Sequence, residues 1–417
     1  MSRMAPRLLT RAPHVHSPLF TSTFVLAALA NATLSLAGSL FVHLPGFLKG
    51  LGAGEAHIGR LMAAQALGAI LAWPLIGRAM DTRGRRVVIL AGVSLFVTVV
   101  GLYLSIDALG PRVYGVRLLD GVAATMWYTA LFTHAADLVP AERRTEGLAI
   151  FGVSGLVPLG LGAQSGDVIL AYATYRELFL CALGFAVLGL ILCLPLRDVR
   201  PVHNEQQGVS PHHVLATAAQ RNLLPVWLAA FTFFITVLAL FSFMKTFVIT
   251  TGIGSVGGFF SAYAAMAVSL RIFLGWLPDR LGARRMLGIA MSCYASGFVV
   301  LSLAHTPGHV VAAALLCGAG HGYTFPVLFS LVVARARPHE RGAATAFFMA
   351  LDWLGLLLAG PVVGYLIERT GYSRSFMALA LLLMMGIGVF YGLDRGRASK
   401  LGKSELRLRP SDRDEMP

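Results

Sequence analysis

Arg117 and Asp120 stand three residues apart inside an apolar run, in the segment Arg117-Leu-Leu-Asp120-Gly121. On a helix that spacing is one turn, so guanidinium and carboxylate can pair locally. The proton affinity of such a carboxylate depends on whether its partner is in place. The pair can therefore take up a proton in one conformation and release it in another, or serve as a neutralised structural pair. Asp352 lies deep in a second apolar run with no partner nearby in sequence. Gly355, Gly360, Pro361 and Gly364 follow it, so the backbone there can bend or pack closely. Arg271 is the one arginine well inside the apolar runs of the second half, which makes it the expected counter-charge of Asp352. Ionisable groups at membrane depth are costly, so each is a candidate for proton coupling.

Other polar and aromatic residues repeat at helical spacing. Asn31, Ser35, Ser39 and His43 form a polar stripe expected to face a water-filled cavity, the alternative being hydrogen bonds to a neighbouring helix. Phe234, Leu238, Phe241 and Lys245 share one face, which suits an amphipathic substrate or plain packing, with Lys245 expected to snorkel to the outer face. His321 and Tyr323 follow Gly318 and Gly320, and His321 can carry protons near neutral pH or fill a hydrogen-bonded niche. Trp127 and Tyr128 complete the cavity candidates.

The elements that must hold these groups show themselves as a repeat. Gly77, Asp81, Gly84 and Arg86 recur 198 residues later as Gly275, Asp279, Gly282 and Arg284. At the same offset Pro140, Glu142 and Arg143 recur as Pro338, Glu340 and Arg341. Two tandem copies of one unit are a recurring design of membrane transporters. Of the 417 residues 56% are hydrophobic and 13% charged, with a mean hydropathy of +0.72. Runs long enough to cross a bilayer as helices are expected at 19–44, 57–77, 87–106, 112–137, 147–168, 176–196, 223–249, 256–277, 286–305, 308–333, 344–367 and 374–394. An all-α membrane protein of twelve transmembrane helices in two six-helix bundles follows. The bundles would occupy 1–196 and 223–394, joined by a linker at 197–222 and followed by a tail at 395–417. Six spans per copy keep both copies in one orientation.

Arginine fixes that orientation. One set of loops, with both termini, carries Arg78, Arg83, Arg85, Arg86, Arg143, Arg280, Arg284, Arg285, Arg341 and the basic tail, while the opposite loops and span ends hold few basic residues. The rich side is expected to be cytoplasmic. The formal net charge of +14 then reflects topology and contact with anionic lipid, not a nucleic-acid partner. The apolar stretch near the N-terminus runs on to Leu44, longer than a signal core, and is expected to be an uncleaved first span. Cys181, Cys193, Cys293 and Cys317 lie in apolar runs with neither disulfide nor metal spacing, so no metal or cofactor is expected.

The loop Gly77-Arg-Ala-Met-Asp81-Thr-Arg-Gly84-Arg85-Arg86 resembles the signature Gly-x-x-x-Asp-x-x-Gly-x-Arg of the major facilitator superfamily, and Gly275, Asp279, Gly282 and Arg284 repeat it. The first copy departs at Thr82, where a basic residue is usual. The resemblance covers nearly the whole chain. It implies two bundles that rock around a central cavity lined by the first and fourth spans of each half. Loop residues Gly77, Asp81, Gly84, Arg85, Arg86, Gly275, Asp279, Gly282, Arg284, Arg143 and Arg341 are then candidates for gating, through contacts that form in one state and break in the other. Arg117 to Gly121 resembles the Arg-x-x-x-Gly motif of the family's proton antiporters, departing at Ala123. Asp352-Trp-Leu-Gly before Gly-Pro resembles a pattern of bacterial efflux-type members, and Gly152 to Gly166 loosely resembles a glycine-proline antiporter motif.

These features favour a proton-coupled exporter of small organic molecules, monomeric and multi-pass in a bacterial inner membrane. An uptake symporter for a sugar or organic anion uses the same fold, with Arg117 and Arg271 able to bind a carboxylate. An enzyme is disfavoured, because no nucleophile–base arrangement, metal-ligand cluster or phosphate-cradling loop is visible.

Overall fold

The structure, a computed structural model, describes residues 20–140, 143–198, 216–337 and 340–407. Glu142, Pro338, most of the expected linker and the end of the tail lie outside the described residues, as do the basic residues before position 20.

Long apolar runs close their backbone hydrogen bonds within one segment, so they fold as helices. Polar caps start several of them. Thr21 Oγ1 accepts from Phe24 N at 3.2 Å, Ser255 Oγ from Gly258 N at 3.0 Å, and Thr174 forms a capping box with Glu177. In the first half the helices are α1 (Ser22–Leu40), α2 (Leu44–Gly50), α3 (Glu55–Arg83), α4 (Arg85–Tyr103), α5 (Pro111–Leu138), α6 (Arg144–Tyr172) and α7 (Tyr175–Cys193). The second half has α8 (Leu224–Thr251), α9 (Val256–Phe273), α10 (Leu277–Leu281), α11 (Ala283–Ser302), α12 (Pro307–Arg335) and α13 (Arg341–Arg407). Only a 3-10 turn at Phe41–His43 separates α1 from α2, and together they form one span.

Length and apolarity pick out ten crossing helices among the described residues, against the twelve expected. The difference has two physical causes. The last two expected spans run together as Arg341–Asp394, broken only at Gly371, whose φ of 80° no other residue type adopts easily. α5 is 28 residues long but carries Arg112, Arg117 and Asp120, so composition alone does not mark it.

The repeat reappears as packing. In the first half α1 packs on α6 and α7, α3 on α5, and α4 on α5 and α7. In the second half α8 packs on α13, α9 on α12, and α11 on α12 and α13. These are the same pairings, helix for helix. The signature glycines match too: Gly84 and Gly282 end their helices at φ 86° and 78°.

The halves meet through α3 against α13 and α6 against α9. A Cβ on Gly59 would strike the backbone of Gly360, and one on Gly364 would strike Glu55, so the helices touch main chain to main chain. Every inter-half hydrogen bond and ion pair among the described residues lies toward the arginine-poor end. Lys49 Nζ donates to Thr250 at 2.7 Å, Ala56 N to Glu368 at 2.9 Å, and Gly257 N to Asp167 at 2.6 Å. Toward the arginine-rich end nothing lies within 4 Å of where a Cβ on Gly77 would sit. The halves are thus held together at the arginine-poor end, while Asp81 and Asp279 are exposed at the other, the open end.

Gly360→Val should prise this seam apart. Amide hydrogen exchange at the start of α3 and around 360–370 should speed up several-fold, while α4 and α11 stay unchanged. Unaltered exchange along the seam would mean the glycine contact does not hold it shut.

Candidate functional site

Four polar groupings are built by these helices. The first is a knot inside the first half. Gly68 and Gly121 let α3 and α5 touch backbone to backbone, which brings Leu61 and Gln65 to Arg117. Arg117 Nη1 donates to Asp120 Oδ2 at 2.7 Å, Nε to Leu61 O at 3.2 Å, and Nη2 to Gln65 Oε1 at 2.5 Å. Gln65 Nε2 and the Tyr103 hydroxyl donate to the same carboxylate oxygen at 3.2 and 3.4 Å. Arg117 and Asp120 are 2% and 5% exposed, so the pair is sealed and its bonds are satisfied within one bundle. Gln65 and Tyr103 were not legible as partners in the sequence, since they lie on other helices.

The second grouping corrects the reading of the α1 stripe as a cavity face. Asn31 Nδ2 donates to Ser154 Oγ at 2.8 Å, Ser35 faces Gly155, and Ser39 donates to Ser35 O at 2.6 Å while packing on Gly162. His43 Nε2 lies 3.0 Å from Ala163 O. Asn31, Ser35, Ser39 and His43 thus face the glycine-rich side of α6, the neighbouring-helix alternative. Small residues on α6 leave the room.

The third grouping joins the halves and centres on Asp167, which sequence reasoning missed. Its carboxylate accepts from Gly257 N, in the first turn of α9, at 2.6 Å. It also lies 3.6 Å from Lys245 Nζ and 3.7 Å from His43 Nδ1. Lys245 is 9% exposed and turned inward, so it does not snorkel to the outer face. An inter-half carboxylate offered it a closer partner than water. Lys49 and Glu55 pair beside this cluster at 2.7 Å.

The fourth grouping brings together side chains of α5, α9 and α13, from both halves. Tyr128 on α5 is 50% exposed and lies within electrostatic reach of both Arg271 on α9 and Asp352 on α13. Arg271 and Asp352 are half-buried. They form no ion pair with each other, contrary to the expected pairing. Arg271 Nε instead donates to Gly322 O at 3.2 Å, and Asp352 has no hydrogen-bond or ion-pair partner among the described residues. His321 is half-buried beside them, its Nδ1 bonded to the Tyr263 hydroxyl. Phe241 is half-buried and packs on Phe260 and Tyr263.

Three cavity candidates lie elsewhere. Trp127 is 7% exposed and packs on Phe96 of α4. Phe234 is buried among Phe233, Phe325 and Phe348. Tyr323 is buried, and its hydroxyl donates to Leu274 O at 2.9 Å, closing the end of α9. Helical spacing set the shared face correctly for each but not what packs on it.

At the open end Asp81 and Asp279 are exposed and unpartnered, so neither holds the start of a neighbouring helix here. Asp198 does that for α4, accepting from Arg86 N at 2.8 Å. Arg85 meets Asp137 at 2.5 Å. In the second half Arg284 and Arg335 meet Asp394 at 3.4 and 2.9 Å. Gly77 and Gly275 precede these contacts, and Arg143 and Arg341 stand where α6 and α13 begin. Among the described residues no three His, Cys, Asp or Glu side chains are placed to hold a metal ion.

The sequence profile of the Major Facilitator Superfamily matches residues 19–277 and 252–412. The chain is 25% identical over 370 residues to an uncharacterized MFS-type transporter of Burkholderia mallei, covering 83% of this chain and 85% of that one. The nucleoside transporter NupG, crystallised as an Asp-to-Ala mutant, superposes with a TM-score of 0.76 at 14% identity, covering 89% of this chain and 99% of NupG. The human organic anion transporter TETRAN superposes with a TM-score of 0.66 at 18% identity, covering 88% and 98%.

Two outcomes follow. Arg117→Leu should destabilise the purified protein by about 3–5 kcal/mol, because it strands a buried carboxylate, and Arg117→Leu with Asp120→Leu should recover most of it. A double variant that melts no higher than the single one would show that the pair itself stabilises the fold. Asp167→Asn should loosen the closed end: a Thr250→Cys reporter, in a background without native cysteines, should react faster with an impermeant thiol reagent applied from that side. Equal rates would remove Asp167 from the latch.

Proposed function

The chain belongs to the major facilitator superfamily, and from that membership we propose that it is a proton-coupled exporter of small organic molecules. As a member it is a multi-pass membrane transporter, not an enzyme. The finer reading places it in a bacterial inner membrane as a monomer, in bundles 1–196 and 223–394, with the arginine-rich loops and both termini in the cytoplasm. The structure is then inward-open. Substrate would enter from the cytoplasm, and closure of the open end would part the seam at Gly59, Gly360 and Asp167.

One observation carries the coupling. Asp352 is a carboxylate at membrane depth, on the interior wall, without a partner. A bare charge there is costly, so this group is suited to trade protons with water from whichever side is open. Asp120 is held by three side chains and has less freedom to do so. We therefore assign the carrier role first to Asp352 and a secondary role to the Arg117–Asp120 knot, with Arg271 and Tyr128 as substrate contacts. Exposed Asp81 and Asp279 would find partners when the open end shuts. His321, bonded to Tyr263, serves as a wall residue with Phe241.

A second reading is uptake of a sugar or organic anion with protons. The open guanidinium of Arg271 favours it. Similarity in fold to a nucleoside transporter and to an organic anion transporter supports transport and leaves direction open.

Inside-out vesicles holding an imposed proton gradient should lose part of it when an exported compound is added. Asp352→Asn should abolish that response, and Asp120→Asn should weaken it. Accumulation of the same compound by whole cells, with no response in vesicles, would decide for uptake.

A further inference from the structure

We infer that the interior site takes an organic anion, a carboxylate on an aromatic or otherwise apolar body, with Arg271 as its counter-charge. This rests on the reading of the interior between the halves as the transport site.

Depth comes first. Tyr128 lies ten residues before the end of α5 at Leu138, and Arg271 lies in the last turn of α9 with its Nε on Gly322 O of α12. Asp352 lies eleven residues after the start of α13 at Arg341. At 1.5 Å per helical residue Tyr128 and Asp352 each sit roughly 15 Å from those helix ends, and Arg271 and Asp352 both lie within electrostatic reach of Tyr128. Three helices from two halves bring these side chains to one level.

Charge comes second. The membrane-embedded basic groups of the described chain are otherwise matched: Arg117 by Asp120, and Lys245 by Asp167. Arg271 has five N–H donors and uses one, Nε, on Gly322 O. Both terminal nitrogens are left over, in the fork geometry that binds a carboxylate through two parallel hydrogen bonds. Asp352 lines the same interior yet does not take that position. Nε is anchored, so the fork is pre-set and little order is lost when an anion arrives.

The surroundings come third. The half-buried rings near Arg271 and Tyr128 are Phe132, stacked on Tyr128, and His321 with Phe325. A flat apolar body fits between rings of this kind.

The test uses the purified full-length protein and three probes that differ only in the polar group: 2-naphthoate, 2-naphthylmethylamine and 2-naphthylmethanol. Thermal stabilisation and quenching of intrinsic tryptophan fluorescence report binding without requiring transport. Naphthoate should bind, and the amine and alcohol should bind at least tenfold more weakly. Arg271→Gln should weaken naphthoate by roughly 10- to 100-fold, the worth of hydrogen bonds to a charged group. Arg271→Lys should recover part of the loss. Both variants should melt close to the wild type without ligand. The inference is overturned if the amine or alcohol binds as tightly, if a zwitterion such as 3-(2-naphthyl)alanine binds much more tightly, if Arg271→Gln keeps naphthoate affinity, or if naphthoate does not bind. Vesicle flux separates the two claims. Naphthoate binding without any proton-linked flux would retain the anion site and remove the coupling.

Discussion

A charge inside a bilayer must be matched, and the architecture follows from how each one is matched. The Arg117–Asp120 pair is matched within a bundle, so it is indifferent to how the bundles sit. Asp167 is matched across the bundles by Gly257 N and Lys245, and those two contacts exist only while this seam is shut. Arg271 and Asp352 have no ion-pair partner among the described residues. The same electrostatic rule thus yields a rigid element, a conformation-dependent element and an open one, ordered from inside a bundle to the space between bundles.

The seam shows why closure can be reversible. Lipid tails are as apolar as leucine, so burying leucine between helices gains little in a membrane. What holds α3 to α13 is close main-chain approach at Gly59, Gly360 and Gly364, finished by Glu368 on the Ala56 amide. Such contacts are short-ranged and lost together over a small displacement. At the other end the arginines bind Asp137, Asp198 and Asp394 of their own half. Each half therefore keeps its own loop in order while the halves are apart, and Asp81 and Asp279 stay exposed.

Sequence made the scaffold legible because a scaffold is built from local and repeated features. The 198-residue offset paired Gly84 with Gly282, both of which end helices at positive φ, and the apolar runs foretold the helices. It also brought Tyr128, Arg271, His321 and Asp352 to notice as charged, titratable or aromatic groups in apolar runs. It could not tell which surface a helix face meets. Asn31, Ser35 and Ser39 were read toward water and face α6, because the glycines that accommodate them lie more than 100 residues away. Phe234 and Tyr323 turned out to be packing for the same reason. Asp167 and Gln65 carried no motif at all, and their significance is wholly tertiary.

The duplication is faithful in packing and unfaithful in chemistry. At the 198-residue offset Arg117 and Asp120 correspond to Leu315 and Gly318, Asp352 to Ser154, Arg271 to Trp73, and Asp167 to Tyr365. Every matched pairing of helices survives in the second copy, while each of these charges is present in one copy only. The two facts answer different demands. Like helices pair in like ways in both bundles, so the packing is symmetric where the charges are not. A substrate is not symmetric, and a site with a cation on one wall and a carboxylate on another can hold it in one orientation. Symmetric packing with asymmetric charge gives both halves one scaffold and confines each charged group to a single position.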